Sequence, residues 1–283
     1  MSKKHISISA EFFPPKTEEG ARQILRTANV LKNFPLDFVS ITYGAGGSSR
    51  ERTVEYGELL REIFGFEVVP HLTCVGHSKA ELLGILKRLA DSGFRRIMAL
   101  RGDAPKNAPD FAPSPDALKH ASELISLIKE LYPDMEISCA GYPEKHPEAA
   151  SFKSDIEYLK LKTDLGAGSV LTQLFFNNSA FFDFQKECKS AGIGASIHAG
   201  VMPALTLKQA RNFCSMCGSA LPEELERRLE AAGSEEAQAR VGLDWAKGQI
   251  SELISRGVDG IHLYILNRPK SAIELMGFIF ENL

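Results

Sequence analysis

A chain of 283 residues with 44% hydrophobic and 24% charged residues is long enough for one large α/β barrel or two ordinary domains. Its net charge of −3 gives no reason to expect nucleic acid or an anionic membrane as a partner. No run approaches the ~20 apolar residues of a membrane span, the opening MSKKHISISAEFF lacks a signal-peptide core, and five cysteines point to reduced thiols in a cytoplasmic compartment.

Short β-rich runs alternate with longer amphipathic ones. His5–Phe13 reads as a first strand, followed by a helix over Thr17–Asn33 with Thr17 as N-cap. Asp37–Tyr43 is a second strand leaving through the glycine-rich GAGGSS, and Arg50–Phe64 a second helix. Val68–Cys74 is a third strand, and Ser78 and Glu81 have capping-box spacing for the helix that ends near Ser92. Arg96–Arg101 is a fourth strand, and after the proline-dotted 104–115 a helix runs from Ser114-Pro115 to Leu131. Glu136–Gly141, Ser169–Phe176, Ala195–Val201 and Val258–Ile265 complete eight strands. Helices at Ser151–Leu165, Ala180–Ala191, Thr206–Cys217 and Ser234–Arg256 separate them, with an extra one at Leu221–Ala232 between strands seven and eight, and a last helix closes the chain. The pattern predicts one (β/α)8 TIM barrel spanning 1–283. The alternative, a doubly wound sheet, usually carries GxGxxG after its first strand, where this chain has Glu-Phe-Phe-Pro-Pro.

In a barrel the chemistry sits where strands end. Those positions hold Glu11, Thr42, Tyr43, His71, Thr73, Arg101, Asp103, Tyr142, Gln173, His198 and Tyr264. No lysine stands among them for a Schiff base, and no His-x-His pair for a metal, so no metal is expected. Two carboxylates with hydroxyl, amide and imidazole groups suit acid–base work on an organic heterocycle. Glu11, next to Phe12, Phe13, Pro14 and Pro15, is either a desolvated acid with a raised pKa or a strand-end residue facing water. His198 reads as a core histidine, and Cys214 and Cys217 as two small residues on one helix face. Lys160 and Lys162 read by default as a solvated face, and the Gly44–Gly47 loop is a weak phosphate signal.

Seven segments in order carry a resemblance: AEFFPPK from Ala10, VSITYGAGG from Val39, HLTC from His71, ALRGDAP from Ala99, GYPEKHPEA from Gly141, LTQLFF from Leu171 and LYILNR from Leu263. Together they resemble the bacterial, flavin-dependent methylenetetrahydrofolate reductases over nearly the whole chain. The resemblance implies a barrel that holds FAD and passes hydride from NADH or NADPH to 5,10-methylenetetrahydrofolate. It gives Glu11 the role of general acid and sets Asp103 beside flavin and pterin. Tyr43, Ala45, His71, Arg101, Gly102, Asp103, Ala121, Tyr142, His146, Ala149, Asp155 and Lys162 would line the FAD. Thr42, Gln173, Tyr264 and Arg268 would meet nicotinamide or folate.

The chain departs from the family at three places. The loop Pro203–Leu207 has no aromatic, Leu207 standing where one stacks on the ligand. Ala199 replaces a usual proline, and Tyr158 and Leu161 replace polar residues on the FAD-side helix. A homo-oligomer is expected, and the altered loop leaves open an electron-donating partner subunit. Two other readings stay open: a different flavin barrel of the proline dehydrogenase kind, and a catalytically silent barrel that binds folate or a protein.

Overall fold

A computed structural model describes residues 5–43, 47–103 and 114–283. The strands are β1 (Ser7–Phe12), β2 (Phe38–Ile41), β3 (Val68–Thr73), β4 (Arg96–Leu100), β5 (Glu136–Gly141), β6 (Ala167–Thr172), β7 (Ser196–Val201) and β8 (Gly260–Tyr264). They pair in parallel, each with the next, and β8 closes on β1 with Glu11 opposite Tyr264. The helices are α1 (Glu18–Leu31), α2 (Gly47–Phe64), α3 (Lys79–Asp91), α4 (Ala121–Leu131), α5 (Phe152–Asp164), α6 (Asn178–Ser190), α7 (Leu207–Cys217), α8 (Glu223–Ala231), α9 (Glu235–Ser255) and α10 (Pro269–Asn282).

Successive side chains of a strand point to opposite faces, and each face has its own chemistry here. The outward set, with Ile8, Ala10, Phe12, Val39, Ile41, Ile97, Ala99, Ile261 and Leu263, packs against helix residues such as Ile24, Leu31, Leu86 and Ile279 in the main core. The alternate positions face the barrel axis. There Phe38, Val69, Met98 and Leu171 form a small apolar plug, and Ser9, Glu11, Ser40, His71, Ser138, His198 and His262 are buried polar groups. The barrel is therefore apolar outside its sheet and largely polar within.

Caps sit where the sequence puts them. Gly20 N donates to Thr17 Oγ1 at 3.1 Å, and Ser78 and Glu81 complete a reciprocal capping box. Two boundaries differ most. The fourth helix starts at Ala121, not at Ser114-Pro115, because Asp116 is occupied by Ser114 Oγ and by Lys79 N at the start of α3, while the Glu123 carboxylate accepts from Lys119 N and His120 N. The sixth strand is Ala167–Thr172, not Ser169–Phe176. A bulge lets Ile137 pair with Ala167 and Ser138 with Ser169, and past Gln173 the chain leaves the sheet, burying Leu174 and Phe176 elsewhere.

They are buried beneath an insertion. α9 packs on β7 and against α6 and α10, so it fills the seventh helix position of the ring. The inserted elements are thus the pair α7–α8, rather than the single extra helix expected at Leu221–Ala232. Leu174, Phe176, Met202, Ala204, Ala210, Cys214, Leu225 and Leu229 form the cluster under the pair. Cys214 is buried and Cys217 partly so, both as free thiols.

α9 reaches its place only because Gly242 lets it approach the loop after β7. A Cβ on Gly242 would lie 2.0 Å from the carbonyl oxygen of Ala204. Gly242→Ala is therefore expected to destabilise by ~1–3 kcal/mol, the usual cost of overpacking. Gly248→Ala, on the same helix with nothing within 4 Å of the added carbon, should be neutral or stabilising by up to ~1 kcal/mol. Urea midpoints at unchanged slope compare the two, and equal effects would contradict the close approach.

Candidate active site

Glu11 lies on β1 facing the barrel axis and is only 7% exposed. Its Oε2 is 3.5 Å from His71 Nε2 on β3 and 3.7 Å from His262 Nε2 on β8. His262 is held in turn by Ser9 Oγ at 2.8 Å from its Nδ1 and Ser40 Oγ at 3.4 Å from its Nε2. His71 Nε2 is buried without a hydrogen bond of good geometry.

Burial decides the charges of this cluster. Desolvation raises the Glu11 carboxyl from 4.5 to about 7, against the opposing pull of His71. Desolvation likewise lowers His71 from 6.5 to about 4, although Glu11 pulls it up, and lowers His262 to about 3. The short Glu11–His71 separation is thus no ion pair at neutral pH: both imidazoles are neutral, and burial lets Glu11 hold its proton well above the usual carboxyl range. A group that holds a proton near pH 7 in a closed setting shielded from water is equipped as a general acid.

The rim around Glu11 is fixed by backbone bonds. Tyr264 OH donates to the carbonyl of Thr172 at 2.6 Å, its ring edge-on to His262, and burial raises its hydroxyl well above the usual range. Asn267, at φ 52°, accepts from Phe13 N at 3.1 Å and donates to Phe13 O at 2.8 Å, which ties the exits of β1 and β8 together. Thr42 N donates to Phe12 O, placing Thr42 beside the exit of β1. Gln173 follows β6 directly, its Oε1 accepting from Leu174 N. Arg268 is exposed at the start of α10.

A second group gathers at the exits of β4 and β5. The Arg101 guanidinium forms a fork with Glu148, Nη2 donating to Oε1 at 2.9 Å and Nη1 to Oε2. The local partner, Asp103, is 3.9 Å from Nη2, with its side chain 89% exposed. Gly102 between them sits at φ 83°, where a Cβ would come within 2.8 Å of Thr73 Cβ, so only glycine fits. Tyr142 stands edge-on to His146 at 4.6 Å, and burial pushes its hydroxyl up. His146 N donates to Asp155 Oδ2 at 2.8 Å. Lys162 Nζ donates to Ala140 O at the end of β5, so it is no solvated face, whereas Lys160 pairs with Asp164 one turn on. Ala149 follows the turn, Ala121 opens α4, and Tyr43 OH meets His77 Nε2 at 2.9 Å. Ala45 lies outside the described residues.

His198 is buried deeper on β7, near Phe38, with Nε2 3.3 Å from Ser196 Oγ and Nδ1 lacking a partner. It is a core histidine, only half satisfied. Leu207 is partly buried on the cluster under α7–α8. Sequence reasoning missed Ser9, His262, Asn267 and Glu148; Ser9-x-Glu11 and His262-x-Tyr264 carry a period-two signal that points both pairs inward. A cavity of about 500 Å³, lined by Phe176, Arg228, Trp245 and Gln249, opens on the outer side between α8 and α9, and none of the strand-end groups lines it.

The sequence profile of the family described as methylenetetrahydrofolate reductase matches residues 1–279. A 5,10-methylenetetrahydrofolate reductase of Salmonella typhimurium is 37% identical over 268 residues, 94% of this chain and 88% of that protein. The Arabidopsis thaliana methylenetetrahydrofolate reductase (NADH) 1 is 33% identical over 95% of this chain, which spans 48% of its length. A protein from Clostridium thermocellum, solved with two copies of 5-methyl-5,6,7,8-tetrahydrofolic acid, has the same fold at TM-score 0.72 and 15% identity, over 99% of this chain and 97% of that one.

The raised Glu11 pKa is also a statement about stability. The folded protein holds this proton more tightly than the unfolded chain, so its contribution is complete below pH 4.5 and is lost as pH rises to about 7. Glu11→Gln removes that dependence. At pH 8 the variant should be the more stable by up to about 3 kcal/mol, at ~1.4 kcal/mol per pH unit, and at pH 4.5 the difference should vanish. The two histidines lose stability in the other direction, below pH 6.5, in both proteins. Denaturant unfolding of each protein across this range measures the difference, and a gap independent of pH would refute the buried neutral carboxyl.

Proposed function

The chain belongs to the methylenetetrahydrofolate reductase family, and from that premise we propose that it reduces 5,10-methylenetetrahydrofolate to 5-methyltetrahydrofolate, with NADH or NADPH as donor and FAD as carrier. The observation that carries the reading is Glu11, a carboxyl that keeps its proton near neutral pH at the exit of β1.

The donor set suits FAD. Arg101 and Lys162 bring cations for a diphosphate, Asp155 and His146 bring hydrogen-bonding groups, and Gly102 packs the exit of β4 directly on Thr73, where any side chain would clash. Tyr43, Ala45, His71, Asp103, Ala121, Tyr142 and Ala149 complete the proposed lining. When bound, FAD would supply a hydride carrier between nicotinamide and folate.

The chain's own work is positioning and proton supply. Glu11 delivers its carboxyl proton to the folate nitrogen that departs as the five-membered ring opens, which leaves a carbon able to accept hydride. Neutral His71 and His262 leave that proton on the carboxyl, because a cationic imidazole beside it would favour the carboxylate. Asp103 sits at the open mouth, where an anionic acceptor matches the donor edge of a pterin. Gln173 at the exit of β6 and Thr42 at the exit of β2 would meet folate and nicotinamide in turn, with Tyr264 on the same rim, and exposed Arg268 would meet the folate's anionic tail. One site used in turn by donor and acceptor gives ping-pong kinetics. Residues 1–283 act as one catalytic unit in this reading, as a homo-oligomer in the cytoplasm; among the described residues no helix is long and apolar enough to cross a membrane.

The visible spectrum is the first test: flavin absorbance after gentle purification or added FAD, bleached anaerobically by NADH or NADPH and restored by methylenetetrahydrofolate. A protein that stays colourless with FAD present would overturn the reading. Glu11→Gln should bleach normally with the donor, since that half-reaction needs no acid here. Its reoxidation by the folate should slow by ~10²–10⁴, the contribution of a positioned acid. Equal losses in both half-reactions would make Glu11 structural.

A further inference from the structure

Arg101 brings a planar two-pronged donor to the groove, and both prongs are already engaged. Nη2 donates to Glu148 Oε1 at 2.9 Å and Nη1 to Oε2. This geometry suits a diphosphate equally well, and one guanidinium edge cannot serve both.

Glu148 reaches Arg101 from a built turn. Its N–H donates to His146 Nδ1 at 3.1 Å, and His146 N–H donates to Asp155 Oδ2 at 2.8 Å. Lys145, at φ 77°, closes the turn by donating from Nζ to the carbonyls of His146 and Ala149 at 3.1 and 2.8 Å. Glu148 thus stands between His146 and Ala149, two positions assigned above to FAD. Asp103 adds a second carboxylate 3.9 Å from Nη2. The nearby ammonium groups of Lys145 and Lys162 are turned onto carbonyl oxygens. A diphosphate that approaches this corner therefore meets negative charge before it meets Arg101.

The geometry points to Glu148 as a displaceable counter-ion, an electrostatic latch that fills Arg101 until a cofactor's diphosphate replaces it, and so limits cofactor affinity. The inference rests on the FAD reading above. Before loading, the latch balances the charge of Arg101 and keeps the fork aligned. Loading breaks two charge-assisted hydrogen bonds and releases the Glu148 carboxylate to water, to which its side chain is already 62% exposed.

Titrating flavin-free protein with FAD, followed by quenching of flavin fluorescence, tests the latch. Glu148→Gln keeps the size of the side chain and removes its charge. It should bind FAD roughly 1.4- to 5-fold more tightly than wild type, which is ~0.2–1 kcal/mol for an exposed pair at ~1.4 kcal/mol per decade. The advantage should shrink as salt rises. The melting temperature of the flavin-free variant should fall below that of wild type, while the loaded forms should melt together, because the latch exists only before loading. Unchanged or weaker FAD binding by Glu148→Gln, with wild type binding normally, overturns the latch and leaves the functional reading standing. Wild type that binds no FAD overturns both. Should the glutamine variant fail to fold, Glu148→Ala is read by the same criteria.

Discussion

The withdrawal of one carboxyl from water sets the chemistry of this barrel. Glu11 is enclosed by a sheet that closes on itself and by a plug of Phe38, Val69, Met98 and Leu171 on the same inner face. Transfer of an anion to such a place is costly unless a cation accompanies it. The two nearest nitrogen bases do not act as cations, because the same enclosure lowers both imidazoles. Were His71 or His262 charged at neutral pH, Glu11 would be an anion in a buried salt bridge and would have no proton to give. Desolvation acts on all three groups at once, and the neutral cluster is the state that they share.

That state has value only if the carboxyl stays where a substrate can meet it, and hydrogen bonds at the strand exits fix its place. Asn267 grips both backbone groups of Phe13, two residues past Glu11, so the seam where the barrel closes cannot open at its upper end. Leu266 and Asn267 both adopt positive φ to make that turn; asparagine takes such a conformation more readily than most residues. Tyr264 reaches past β7 to bond Thr172 O, and Gly200 N bonds to the Thr172 hydroxyl, which joins β6, β7 and β8 at one level.

How much of this the sequence carried depended on the range of each interaction. The eight strands follow from local alternation of residue types, and Thr17 and Ser78 cap as their spacing predicts, because cap and target lie three residues apart. The start of α4 went astray because Asp116 answers to Lys79, 37 positions earlier. Glu11 could be picked out from its apolar neighbours, yet the two imidazoles that share its enclosure lie 60 and 251 positions away. Arg101 is similar. Its adjacent acid, Asp103, was the visible partner, and the fork goes instead to Glu148, 47 positions on. Local sequence located the residues at the strand exits, but not their long-range contacts.

The insertion between β7 and β8 braces the two halves of the site. Its apolar cluster takes in Leu207, Cys217 and Tyr264, so the pair α7–α8 walls the side of the mouth where Tyr264 stands. Where α7 ends, Gly218 turns at φ 72° close against Pro147, the residue before Glu148. Ser219 Oγ then donates to Leu174 O at 2.8 Å, and Ala220 N donates to Glu144 Oε1 at 3.1 Å. Three successive residues thus fasten the insertion to the exits of β5 and β6, and through Pro147 to the turn that holds Arg101. The aliphatic Leu207 and the latch on Arg101 are consequently attached to one rigid piece. A shift of α7 would move the wall of the mouth and the counter-ion of the groove together, and in a protein interior packed at crystal density it could not move one alone.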